Sequence, residues 1–538
     1  LEKILDGTIA RDEAKDAPKG SNAMAISGAK TADGNTYLAI NSHQPLEGWY
    51  SWYEAHLISE EGLNILGGTF PGGATIFHGV NEDLGWAHTV NHVDLSDVYK
   101  MEMDPSGALQ YQFDGEWKEL EKRTYKAKVK LLGFLKIPIK QKVYESVYGP
   151  TFKTKEGFYA WRFAAGQDIR AVEQWYKMNK ATGLESFQEA LRMQAIPSTN
   201  IVYADREDNI FFISNGKVPV RDPAYDWRKV VPGNTSATLW NEYYPIDSLP
   251  QVLNPTSGYV FNTNNTPFSA SGLNDNPVET SANQTMTYQH PDMENSRSLR
   301  FRALIDEYDK LSYDDFKRIK YDLQYPDQMI RREMMNLELV FAIAPEAHPA
   351  QAGILKTLQA WDRSYNLENT TAPVFIYFIK ILIDNLDEAN RWCWRCEITE
   401  ADVLQALSVT QDHFYKKYGG LSVRLGDFQR HIRGDKNLPL AGGPDVLAAM
   451  YSKEQKDGTF KGIAGESYIE LVQFTPEGIL IETVHAYGSS AELDSPHYND
   501  QMELFVNQQL KPMTLDRVAV LQNAKQVYHP RRVVAEQP

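Results

Sequence analysis

The spacing of apolar residues changes once along this chain, and that change constrains what it can fold into. From Ser21 to about Tyr288, short apolar runs alternate with Gly, Asn, Asp and Pro clusters, the pattern of short strands joined by turns. After Asp292, the segments RSLRFRALIDEYDKL, YDDFKRIKYDLQ, MIRREMMNLELVFAI and AGILKTLQAWDRSYN place apolar residues three and four apart, as amphipathic helices do. Strand-like sequence returns at 467–474 and 479–486. The helix-rich block at about 297–420 therefore reads as an excursion from one large sheet-based domain of α+β class.

A hairpin opens the strand-rich part. Residues 22–28 and 36–41 flank TADGNT, whose Asp33-Gly34 pair suits a tight turn. A two-residue turn there sets Ser21 opposite Leu46 and leaves His43 three residues along, roughly 10 Å at 3.3 Å per residue. A wider loop or a bulge is needed to bring Ser21 and His43 together. Further strands are expected at 63–67, 75–78, 126–132, 141–148, 200–204 and 210–213.

Composition narrows the function classes. The chain has 538 residues, with 55 Lys+Arg against 71 Asp+Glu and a formal charge of −16. An acidic surface repels phosphate, so a nucleic-acid or anionic-membrane partner needs a local basic patch, and no long Lys/Arg run is present. The richest apolar run, Ala372 to Leu386, is interrupted by Lys380 and Asp384 and is too short to span a bilayer, so it is expected to be a buried helix without membrane insertion. The first residues show no basic region leading into an apolar core, so no signal peptide is visible. Two cysteines, Cys393 and Cys396, exclude a disulfide scaffold and supply at most two zinc ligands. A local disulfide or a pair of inert thiols is the expectation there.

The most informative segment is Gly20-Ser21-Asn22-Ala23-Met24. A serine is a poor nucleophile unless a base lies within hydrogen-bond reach. If the chain is cut between Gly20 and Ser21, the new α-amine, with an ordinary pKa of about 8, is such a base. Read alone, Gly-Ser before a strand is only a loop entering a strand, Asn264-Asn265-Thr266-Pro267 is a turn, and Asp94 to Asp97 is a loop with two carboxylates.

Five islands change that reading by their order and spacing: GSNAMAISGAKTADGNTYLAINSHQP, FPGGATIFHGVNEDLGWAHTVNHVDLSDVY, YADREDNIFFISNGKVPVR, NPTSGYVFNTNNTP and AYGSSAELDSPHYNDQ. Together they resemble the penicillin acylase family of N-terminal nucleophile hydrolases, which cleave amides such as penicillins and acyl-homoserine lactones. The resemblance implies a four-layer αββα sandwich of two antiparallel sheets. It makes Ser21 the nucleophile, released when the precursor cuts itself after Gly20 by an N-to-O acyl shift, with His43 beside it. It makes the backbone N–H of Val90 and the side-chain amide of Asn264 the donors for the oxyanion, each worth about 3 kcal/mol. Arg300 best matches the arginine that orients this asparagine and the α-amine, with Arg297 a rival one helical turn away.

The same resemblance implies one structural Ca²⁺ per heterodimer, held by Asp94, the Ser96 carbonyl, Asp97, the Pro219 carbonyl and Asp275, the hard oxygen ligands calcium takes. It further implies an α-subunit from the same precursor, which contributes to the acyl pocket and adds one carboxylate to the calcium site, with residues 1–20 as linker and 21–538 as the catalytic β-subunit. The α-subunit is then a separate chain, or absent. A small acyl amide is the expected substrate, and the periplasm or beyond the expected location. Gln44 departs from the pattern: the position after His43 lines the acyl pocket in the family and is commonly Phe or Leu. A polar amide there weakens the expectation of a phenylacetyl or long alkyl group, because burying it unpaired is costly. Two other readings compete, a serine hydrolase with an internal triad, for which no Gly-x-Ser-x-Gly elbow is present, and a non-catalytic binding protein that never matures.

Overall fold

The computed structural model describes residues 20–48, 50–131, 135–278, 294–330, 336–388 and 397–529. Cys393 and Cys396 lie outside the described residues, as does part of the MIRREMM segment.

Two strands organise the molecule, β1 (Gly20–Ile26) and β2 (Thr36–Pro45). Every residue of β1 is buried. A strand covered on both faces shows no polar alternation in its sequence, but the period of two still sorts its contacts. Ala23 and Ala25, with Leu38 and Ile40 of β2, meet Leu66, Val80, Ala87, Val202 and Phe212 of a second sheet. Met24 and Ile26, with Tyr37 and Ala39, meet Phe301, Ile305, Phe316 and Ile319 from the helices Ser296–Ile305 and Tyr313–Lys320.

The first sheet runs in the order Tyr259–Asn262, β1, β2, Phe460–Thr475, Gln429–Arg433, Lys436–Pro439, with Gly478–His485 also paired to the long strand Phe460–Thr475. The second is ordered Gln251–Leu253, Ile210–Gly216, Ser198–Asp205, Leu84–Thr89, His78–Val80, Leu63–Thr69, Tyr53–Ser59. Its outer face carries Trp86, Ile201 and Tyr203, covered by Met178, Phe187 and Leu191 of the helices Ala171–Asn179 and Leu184–Leu191. Helix, sheet, sheet and helix stack in that order, the expected four-layer αββα sandwich. The run beginning at Ala372 is the helix Ala372–Glu388, buried in a core of its own with Leu407, Phe414 and Phe428. No helix among the described residues is long and apolar enough to cross a membrane.

The hairpin register differs from the two-residue-turn expectation. Ser21 pairs with Ser42, not Leu46, and Gly20 pairs with His43. Pairing begins only at Ile26 and Tyr37, so the turn at Asp33-Gly34 sits inside a wider loop. That loop is closed locally by the Asn35 N–H on Asp33 Oδ1 at 3.1 Å and by Gly34 at φ +77°. A bulge between Ser42 and His43, against the strand Phe460–Thr475, then re-aims the end of β2. Residues 75–78 are also not a strand of their own; the strand is His78–Val80.

A basic face is present that a search for charge runs misses. Strands Glu121–Leu131 and Leu135–Ser146 form a hairpin in which Lys126 stands opposite Lys140 and Thr124 opposite Lys142. Alternation along a strand spreads the lysines over every second position, so they gather on one face without forming a run.

Candidate active site

The odd-numbered side of β1 faces the second sheet, so the β1 end brings Ser21 to the sheet interface beside Val90, which follows Leu84–Thr89. Ser21 is 3 % exposed. Its Oγ donates to the Gly20 carbonyl in a very short contact. Its backbone N–H donates to Asn264 Oδ1 at 2.9 Å. Asn264 Nδ2 in turn donates to the Val90 carbonyl at 2.9 Å, leaving the second hydrogen of that amide for another acceptor. The sequence-predicted Ser21, Val90 and Asn264 are therefore brought together.

Local sequence explains why Asn264 points this way. Its φ is +66°, a left-handed conformation that asparagine tolerates better than most side chains. Its own N–H donates to Asn262 Oδ1 at 2.8 Å. The same oxygen accepts from Thr89 Oγ1 at 2.5 Å and Asn200 Nδ2 at 3.0 Å. Asn262 thus ties the turn carrying Asn264 to the strand end carrying Val90. Asn265 diverges, its Oδ1 accepting from Thr263 N and its Nδ2 donating to the Ser269 carbonyl.

The arginine at the site is Arg297, and Arg300 is not in it. Arg297 NH2 donates to Asn264 Oδ1 at 2.9 Å, and its NH1 donates to the Ser21 carbonyl at 3.0 Å and to Asn22 Oδ1 at 2.7 Å. Its Nε donates to Asp445 Oδ1 at 3.1 Å. Arg300 makes a bidentate pair with Asp322, at 3.0 and 2.8 Å. The two arginines lie a helical turn apart, and the sequence does not fix which of them meets the turn carrying Asn264. Asn22, Asn262 and Asp445 were missed: Asp445 sits in an AGGPDVL loop whose composition gives no chemical signal, while Asn22 is the first polar residue after Ser21.

His43 is buried and opposite Gly20, with its Nε2 accepting from Asn41 Nδ2 at 3.3 Å. Asn41 Nδ2 also donates to Glu466 Oε1 at 3.1 Å, and Glu466 is paired with the buried Lys320. Burial, with the positive charges of Arg297 and Lys320 nearby, holds the imidazole pKa well below 6.5. His43 is thus neutral, with its proton on Nδ1 when Nε2 accepts. A Ser–His contact elsewhere, Ser42 Oγ to His78 Nε2 at 3.3 Å, is buried with His78 stacked on Trp52, and among the described residues His78 Nδ1 has no partner. It lacks the acid of an internal triad.

The expected calcium ligands are not gathered into a cation cage. Asp97 Oδ2 accepts from Arg221 Nε at 2.9 Å and from Trp240 Nε1 at 2.6 Å. Asp94 Oδ1 accepts from Ser96 N at 3.3 Å, and the Asp94 carbonyl accepts from Arg221 NH1 at 3.0 Å. Pro219 bridges to Tyr243. Asp275 accepts from Thr256 Oγ1 at 2.9 Å and Ser257 N at 2.7 Å. Among the described residues no three acidic or histidine side chains form a metal-binding group. Calcium takes six to eight oxygens. Arg221 engages Asp97 Oδ2, the Asp94 carbonyl and, at 3.6 Å, Asp94 Oδ1, while Asp97 Oδ1 is buried with no hydrogen-bond partner among the described residues, so the oxygens of this chain as they stand do not enclose the ion.

The sequence model of the family described as Penicillin amidase matches residues 2–522. The chain belongs to the penicillin amidase family. Among its curated relatives, the acyl-homoserine lactone acylase PvdQ of Pseudomonas fluorescens Pf0-1 is 26% identical over 91% of this chain and 68% of its own length. The PvdQ of Pseudomonas syringae pv. syringae B728a is 25% identical over 94% of this chain and 70% of its own. Penicillin G acylase of Escherichia coli is 26% identical over 46% of this chain and 29% of its own. Among solved structures, the thermostable penicillin G acylase from Alcaligenes faecalis superposes with a TM-score of 0.65 at 19% identity, covering 95% of this chain and 99% of that one. This penicillin amidase family member is a hydrolase of amide C–N bonds, an acylase with the N-terminal nucleophile hydrolase fold.

Proposed function

We propose that this chain is the β-subunit of an acylase that cuts itself between Gly20 and Ser21 and then uses Ser21 as its nucleophile. In the joined chain Oγ already lies against the Gly20 carbonyl. A Cβ at Gly20 would come 2.8 Å from Asn264 Oδ1, so the absence of a side chain keeps this corner open. Attack of Oγ on the Gly20 carbonyl carbon forms a C–O bond and breaks the C–N bond, and the hydroxyl proton ends on nitrogen. Water then hydrolyses the ester, leaving a carboxylate on Gly20 and an α-amine on Ser21.

That amine would inherit the N–H contact to Asn264 Oδ1. Arg297, donating to the same oxygen at 2.9 Å, disfavours a second positive charge there and so favours the neutral form of the amine. A neutral amine at pH 7 is a base for Oγ. In turnover Oγ attacks the acyl carbonyl, its proton passes through the amine to the leaving amine, and water releases the acyl group as an acid. Val90 N–H and the remaining Asn264 Nδ2 hydrogen are the oxyanion donors in this reading.

The observation that supports it most is the shared oxygen of Asn264, which takes both the Ser21 N–H and the Arg297 guanidinium. The PvdQ relatives favour an N-acyl group on a small amine such as a homoserine lactone. The half-buried Gln44, opposite Gly465, favours an acyl chain with a polar group at that depth. The PvdQ proteins extend beyond the 68% matched here, which leaves room for an α-subunit from the same precursor; export to the periplasm or beyond belongs to the same reading. Intact-mass analysis with a panel of acyl-homoserine lactones, penicillin G and fluorogenic acyl amides tests it. The expected result is a break after Gly20 and hydrolysis of at least one acyl amide, both lost in Ser21→Ala. Normal turnover by Ser21→Ala, or a chain that stays joined and hydrolyses none, overturns it.

A further inference from the structure

The segment that carries Val90 is anchored on a buried ion cluster only a few residues further on. Arg221, its side chain 1% exposed, places Nε 2.9 Å and NH2 3.6 Å from the carboxylates of Asp97 and Asp94 respectively. Its NH1 donates to the Asp94 backbone carbonyl at 3.0 Å. The Asp97 side chain has no exposure, and Trp240 Nε1 donates to the oxygen that Arg221 also engages. Two carboxylates and a backbone carbonyl are the ligand types a hard divalent cation takes, and here one guanidinium lies against all three, with Asp97 Oδ1 left without a hydrogen-bond partner among the described residues. The ring of Trp227 lies 5.7 Å from the same guanidinium, a further favourable contact for a cation.

We infer that the Arg221 guanidinium is the resident cation of this site and that the loop between Val90 and the strand Ser96–Met101 is held without a divalent metal. A second cation among the same oxygens would sit against a group that is always charged in proteins, with little water to screen the repulsion. Asp275, the third carboxylate a calcium site would recruit, is engaged by Thr256 and Ser257 instead. In the sequence Arg221 stands two residues after Pro219, in KVPVR. Any effect on turnover through Val90 rests on the acylase reading above, but the anchor itself does not.

Thermal unfolding therefore tests it, because a failed anchor leaves the acylase reading standing. The unmodified chain is unfolded after exhaustive dialysis against EDTA, and again with millimolar Ca²⁺. The expected midpoints are the same. Arg221→Met is expected to lower the midpoint or prevent accumulation of folded chain, because it strands two buried carboxylates, and adding Asp97→Asn to it is expected to recover part of the loss. A midpoint that falls on chelation and returns with Ca²⁺, an Arg221→Met chain as stable as the unmodified one, or a double variant no better than the single, overturns the inference.

Discussion

At the scale of single residues, the informative contrast is between two arginines on one helix. Arg297 reaches the Ser21 carbonyl and Asn264, whereas Arg300 reaches Asp322 with its side chain 21% exposed. Residues three apart share a helix face, so sequence spacing admits both, and only the position of the helix over the first sheet decides. That position is set by Phe301 and Ile305 meeting Met24 and Ile26, contacts almost 280 residues apart. Arg297→Met is expected to lower kcat per folded molecule by about 10²–10³-fold, the size of losing an oriented oxyanion donor, and to slow the break after Gly20. Arg300→Met is expected to leave kcat within a few-fold and to cost about 0.2–1 kcal/mol, as partly exposed ion pairs do. Mass spectrometry and steady-state kinetics on the two variants check this; equal losses would mean that the helix does not sit as described.

At the scale of elements, the change from strand spacing to helix spacing was legible, but the strand Leu84–Thr89, the helices Ala171–Asn179 and Leu184–Leu191 within the strand-rich part, and the junctions between elements were not. Apolar spacing locates the helix Tyr313–Lys320 and, at 467–474, only the later half of the strand Phe460–Thr475, and nothing in either sequence says that Lys320 and Glu466 meet. Their pairing ties the helix to the sheet and passes through Asn41 to His43. Burial lowers Lys320 to about 8 from 10.5, with Glu466 pulling the other way. Below pH 8 the lysine is charged in both the folded and the unfolded chain, and the cost of burying that charge is fully present. Between pH 8 and 10.5 the unfolded chain holds the extra proton, so this group makes stability rise with pH by about 1.4 kcal/mol per unit. Replacing Lys320 by Met alone is expected to cost about 3–5 kcal/mol, while Lys320→Met with Glu466→Gln should cost far less, as removal of both charges usually does. Urea unfolding at pH 7, 8 and 9 checks both points: the double variant should lose the slope between pH 8 and 9, and a slope unchanged from the parent would refute the assignment.

At the scale of the whole molecule, net charge and buried chemistry make opposite forecasts, and a pH series separates them. With a formal charge of −16 and a pI near 5.3, acidification from pH 7 relieves self-repulsion and by itself predicts rising stability. The interior says otherwise. Burial holds His43 and His78 well below 6.5 and His88, His431 and His485 down to about 4. His88, His431 and His485 each bind a proton in the unfolded chain between about pH 6.5 and 4 but not in the folded one, so each makes stability fall with falling pH by about 1.4 kcal/mol per unit, and His43 and His78 act in the same direction. The raised carboxyls of Asp94, Asp97, Glu466 and Glu470 work in the opposite direction, but Arg221 and Lys320 oppose protonation of the first three. Neither contribution can be read from composition, because twelve histidines in a sequence do not reveal which of them the fold buries. The expected outcome is a thermal midpoint that falls steadily from pH 7 to pH 5, passing through the pI without a maximum. His431→Gln, which keeps a donor for the Ala486 carbonyl that His431 Nε2 contacts at 2.6 Å, should fall less steeply than the parent. Calorimetry at pH 7, 6 and 5 decides the matter: a midpoint that rises toward pH 5.3 would mean that surface repulsion outweighs the buried imidazoles.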